Sequence, residues 1–162
     1  MDTNSKKVKN SDILTKTLIS LINVASSKTT NDYAWSIIKN LISELRSNHI
    51  FLKYVHINDI KRLNYNKSDI TIMSNFNDID SKKIGIVIQN IIDTFKTKMG
   101  TKAGYFFLTE FKHDVGEEFY NILEEMGVDL RLIDLQNKIY GWDNNYKIKE
   151  KSGSNIAYLE KN

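Results

Sequence analysis

"HIFLKYVHI" (residues 49–57) decides how this chain is read, because the hydrophobic period changes there. Before it, apolar residues recur at helical spacing. Within it, β-branched and aromatic residues crowd together, and "SDITIMSNF" (68–76) follows with Ile70, Ile72, Ser74 and Phe76 set against Thr71, Met73 and Asn75. A period of two puts successive side chains on opposite faces of a strand. The two stretches predict a pair of antiparallel strands joined by the polar loop "NDIKRLNYNK" (58–67).

Outward from that pair the period returns to that of a helix. Toward the amino terminus, Ser11 is the expected N-cap of a helix carrying Ile13, Leu14, Leu18, Leu21, Ile22 and Ala25. "SSKTTND" breaks the pattern, and Asp32 is the expected cap of a second helix with the stripe Tyr33, Ile37, Ile38, Leu41, Ile42 and Leu45. Toward the carboxyl terminus, Asp80 or Ser81 opens a third helix whose Ile84, Val87, Ile88, Ile91, Ile92, Phe95 and Met99 share one side. It is the most apolar helix and the expected centre of the core.

Gly100 is expected to end that helix in the left-handed region, with Thr101 capping a short helix that bears Tyr105, Phe107, Leu108 and Phe111. Gly104 would let that helix approach a neighbour closely. The next helix has an acidic first turn at Glu117 and Glu118, which suits the helix dipole, and Gly127 supplies its stop. "VDLRLIDLQ" (128–136) fits a strand or a helix. "NKIYGW", "NYKIKEK" and "NIAYLEK" are short β-prone runs separated by "DNN" and "SGS", both turn-forming.

The predicted order is α-α-β-β-α-α-α-β-β-β. That is an α+β fold: an antiparallel sheet of two strands and then a C-terminal three-stranded meander, packed with about five helices mainly on one face. The expected organisation is a flexible basic N-terminus (1–10) and a single globular domain (11–160). Within that domain lie a helical hairpin (11–48), an α+β core (49–142) and a β-hairpin tail (143–160).

Composition narrows the function classes. The 162-residue chain has no cysteine, which excludes disulfides, Cys-ligated zinc, iron–sulfur clusters and thiol catalysis. Hydrophobic and charged shares of 41% and 27% are those of an ordinary folded domain. No apolar run approaches the roughly 18 residues of a membrane span, so a soluble cytoplasmic protein without membrane attachment is expected. The net charge of +3 is small and interspersed. It neither makes nor excludes a nucleic-acid binder.

"KMGTKAGYFFLTEFKHD" (98–114) concentrates the candidate chemistry. A phosphate loop of the Gly-x4-Gly-Lys-Ser/Thr kind needs a different spacing from Gly100 and Gly104 and a Lys-Ser/Thr that is missing. The stretch therefore reads as two helices meeting at a corner, where the start of the second helix makes Thr101 and Lys102 an anion-binding candidate. Glu110 and His113, three apart, share a helix face and are weak metal candidates. One such pair falls short of the ligand set a dinuclear centre requires, and a histidine in the last turn complements the helix dipole. No metal or other cofactor is expected. His49 and His56 have opposite strand parity and should not share a ligand. Glu117/Glu118 and Glu124/Glu125 read as solvated surface.

Two surfaces remain. The helix stripes and the aromatic run make Tyr33, Ile37, Ile38, Leu41, Tyr105 and Phe106 the partner-interface candidates. Tyr54, Lys61, Arg62, Tyr65 and Lys67 interleave rings with cations as single-strand binders do, and form the nucleic-acid candidate. The expected function is a non-enzymatic intracellular regulatory, sensory or interaction domain acting through protein–protein contacts as a homodimer or with a partner protein. The alternative is a nucleic-acid-binding protein using the 53–67 strand-loop and the basic tails. A third reading is metal or small-ligand binding near Glu110 and His113.

Overall fold

The computed structural model describes residues 8–58 and 69–131, with residues 101–106 as backbone alone. The chain divides into two compact units, Met1–Asp129 and Leu130–Asn162, and the first holds the elements described below. Among the described residues the fold is α+β and mostly helical: five α helices and one two-stranded antiparallel sheet. The expected meander, the β-hairpin tail and most of the 58–67 loop lie outside the described residues.

The first helix, α1 (Asn10–Ser26), is the centre of the core and packs against α2 (Asn31–Leu45), α3 (Ser81–Met99) and α4 (Thr101–Val115). This corrects the expectation that α3 is the centre. The reason lies in the small polar residues of α1. Thr15, Thr17 and Ser20 are buried with the Ile and Leu residues, which extends the buried arc around most of the helix. Thr15 and Thr17 donate to the carbonyls of Ser11 and Ile13 at 2.8 and 2.9 Å, so their hydroxyls enter the core already satisfied. Between the end residues Ser11 and Ser26, only the narrow stripe Asp12, Lys16, Ile19 and Asn23, spaced four, three and four residues apart, reaches solvent.

The helix ends differ from expectation in an instructive way. Ser11 does not cap α1. Lys9 is the N-cap residue and makes no side-chain capping bond, while the Ser11 amide donates to Asn77 Oδ1 at 2.9 Å. A residue far along the chain thus supplies the acceptor that a local cap would have offered. Asn10 reinforces the joint by donating to the Ile79 carbonyl at 2.7 Å and accepting from Ser81 Oγ at 3.3 Å. For α2 the cap is Thr30, whose hydroxyl accepts from the Tyr33 amide at 3.3 Å, and Asp32 sits in the first turn instead. Asp80 caps α3 as read, accepting from the amides of Lys82 and Lys83 at 3.0 and 3.3 Å.

The strands are much shorter than the sequence pattern suggests. β1 is Val55–Ile57 and β2 is Ile70–Ile72, paired with Val55 opposite Ile72 and Ile57 opposite Ile70. Residues Ile50–Tyr54 form a 3-10 helix, as do Ser74–Asp78. Leu52 and Val55, both fully buried, explain the first. Three residues apart, they would point to opposite faces of an extended chain, whereas a 3-10 turn brings i and i+3 to one side. Arg46, just beyond α2, locks the turn: its guanidinium donates to the carbonyls of Leu52 at 3.3 Å and Val55 at 2.6 Å.

The α3–α4 corner turns at Gly100, with φ of 83° and ψ of 164°. This is a region almost reserved for glycine but not the expected left-handed helical one. Gly100, not Thr101, is the N-cap residue of α4. α5 (Glu117–Glu125) ends at Met126, where the Val128 amide returns to the Leu123 carbonyl at 3.0 Å and the Gly127 amide to Glu124 at 2.9 Å. That double bond pattern is a Schellman stop. A close approach is seen at Gly85 of α3, where an added Cβ would lie 2.8 Å from the Met126 carbonyl carbon. Phe107 in α4 meets Phe95 of α3 and Phe111 at ring-centroid distances of 5.4 and 6.1 Å, fixing the α3–α4 contact.

Candidate functional site

The open stripe of α1 does not face bulk water alone. Together with the α4–α5 corner it walls a groove of about 560 Å³, within the size range of ligand-binding clefts. α1 contributes Asp12, Lys16 and Ile19; the corner contributes Val115 and Gly116; the first turns of α5 contribute Glu118, Phe119 and Ile122. The floor is apolar because Val115 and Phe119 are buried while Ile19 and Ile122 are only half-buried. Val8, 44% exposed, also lines it.

Local chemistry places the charges on the rim. Glu117 and Glu118 open α5, where the exposed amides of the first turn favour negative charge. Asp12 lies in the first turn of α1 for the same reason. Lys16 stands with its Nζ 4.6 Å from the centre of the Phe119 ring, a cation–π contact that covers the aromatic floor. Lys112 braces the corner from outside the groove. It pairs with Glu117 at 3.1 Å and lies 4.5 Å over the Tyr120 ring. Its pKa is raised, chiefly by the Glu117 hydrogen bond.

The residues singled out from sequence are scattered by the fold. Ile37, Ile38 and Leu41 are 6%, 0% and 0% exposed, so this stripe is spent inside the protomer, and only Tyr33, at 49%, stands at the surface. Thr101, Lys102, Tyr105 and Phe106 belong to α4, which the structure describes there as backbone. Glu110 of α4 pairs at 3.1 Å with Lys28 in the turn after α1, and His113 is exposed in the last turn of α4. Among the described residues no three His, Asp or Glu side chains converge. Tyr54 is half-buried at the end of its 3-10 helix with Lys53 Nζ 5.1 Å from its ring centre. Lys61, Arg62, Tyr65 and Lys67 lie outside the described residues. No described helix is long and apolar enough to cross a membrane.

Sequence reasoning missed the groove. Ile19 carried the available signal, an apolar residue off the main stripe of α1 at helical spacing from Lys16 and Asp12. Glu117 and Glu118, read as solvated surface, are exposed and also stand on the rim of the groove. Compared with protein-family models, curated proteins and solved structures, the chain matches none.

Proposed function

We propose that this chain is a non-enzymatic interaction domain that acts by binding a protein partner. One observation carries the reading: the apolar groove between α1 and the α4–α5 corner, with Ile19 and Ile122 still accessible on its floor, carboxylates on its rim and Lys16 reaching in over Phe119. An apolar floor with a polar rim is the anatomy of a protein-recognition surface. The reading moves the partner site away from the α2 stripe, whose Ile38 and Leu41 have no exposed surface. A cysteine-free sequence suits the reducing cytoplasm, where we place this interaction.

The test compares affinity captures by the full chain, by Ile122→Asp in the groove and by Ile86→Asp on the 58% exposed position of α3. A protein partner retained by wild type and Ile86→Asp and lost with Ile122→Asp is the expected result. A partner indifferent to Ile122→Asp would remove the groove from the reading. A metal or small molecule retained in native mass spectrometry, together with turnover, would overturn it.

A further inference from the structure

Resting on the groove reading, we infer that the occupant is a short amphipathic helix with an apolar ridge flanked by lysine or arginine. Shape and charge both lead there. From Asp12 to Ile19 the α1 wall runs about 10 Å, the length of roughly two helical turns. α1 and α5 both line it, and the half-buried Ile19 and Ile122 offer apolar contact from the two helices. Such a trough accepts the i, i+3, i+4, i+7 ridge of a docked helix.

The charges select the flanks. Asp12, Glu117 and Glu118 are exposed on the rim, and among the described residues Lys16 is the one cation lining the groove. Glu117 is already engaged by Lys112, so among the described lining residues Asp12 and Glu118 outweigh Lys16 and leave the rim acidic. The ammonium of Lys16 is also drawn onto the Phe119 ring, and its position marks where a positive group is stabilised within the groove. An incoming Lys or Arg would meet Asp12 and Glu118 at the edges while its apolar neighbours cover Ile19 and Ile122. Acidic segments would meet like charge on both walls.

The probe is a fluorescein-labelled helical peptide of about 14 residues, with leucine at the ridge positions and lysine elsewhere. Its anisotropy is titrated with the full chain at low and at high salt. Binding is expected to weaken about tenfold in Ile122→Glu and by a similar factor in Asp12→Lys/Glu118→Lys. The double variant should also lose most of the salt dependence, and the peptide with glutamate in place of lysine should not bind. Ile19→Asp, with unchanged circular dichroism, provides a second floor variant should Ile122→Glu perturb the fold. Equal binding of the lysine and glutamate peptides, or no effect of the charge reversals, would overturn the inference. A partner lost with Ile122→Asp that proves acidic would likewise overturn the occupant while leaving the interaction-domain reading intact.

Discussion

Gly85→Ala is the substitution whose outcome depends most directly on the packing described above. Gly85 is buried in α3, and a Cβ built there lies 2.8 Å from the Met126 carbonyl carbon and 3.2 Å from its Cβ, with the carbonyl oxygen nearer still. The obstacle is backbone, and it is held. The Met126 amide donates to the Ile122 carbonyl at 3.1 Å, and the Schellman bonds of Gly127 and Val128 follow immediately. Alanine in a helix interior would ordinarily gain about 1 kcal/mol over glycine. Overpacking against a core that cannot give costs about 1–3 kcal/mol, and rigid backbone favours the upper end. The net expectation is a loss of about 2 kcal/mol, or about 4–8 °C in Tm for a chain of this length. Circular-dichroism melts of Gly85→Ala beside Ile86→Ala provide the assay. The control is 58% exposed and should stay within about 0.5 kcal/mol of wild type. A Gly85→Ala protein more stable than wild type would refute the close approach of α3 to the end of α5.

Other substitutions probe separate joints. Ile38→Asp puts a carboxylate at a position with no exposed surface and should unfold the domain, a loss above about 4 kcal/mol, where an interface position would keep its helical circular dichroism. Asp80→Ala removes the acceptor of two α3 amides and should lower stability by about 1 kcal/mol in urea unfolding. Lys112→Met tests the corner brace by pH. A lysine whose folded pKa is raised contributes stability below its unfolded value and loses it as pH climbs through the folded one. The variant should therefore unfold slightly earlier than wild type at neutral pH, and the difference should vanish well above the ordinary value of 10.5.

Much of the helical framework was legible because its signals are local. The Ile84–Phe95 side of α3 is buried as the spacing demands, and Asp80 caps because its partners lie two and three residues further on. The failures share a different character. Ser11 lost its role to Asn77, and the strand reading of 49–54 gave way to the joint burial of Leu52 and Val55, held by Arg46. In each case a tertiary contact, 66 residues away for Ser11 and six to nine for the 3-10 turn, overrode a local preference. The groove was hidden for the same reason. Its walls, Asp12–Ile19 and Val115–Ile122, are about a hundred residues apart, and no periodicity within either segment announces that they face each other.

The central place of α1 has a consequence for how this protein is made. Synthesis delivers α1 first among the described helices, yet its covering neighbours α2, α3 and α4 are complete only when the chain has reached Val115. At 5–20 residues per second, the interval from Ser26 to Val115 lasts roughly 5 to 20 s. Throughout that time a helix destined to be shielded on nearly all sides has only fragments of its enclosure. The nascent chain should therefore depend on ribosome-associated chaperones until α4 emerges, and a version permuted to place α1 last should be released from that dependence.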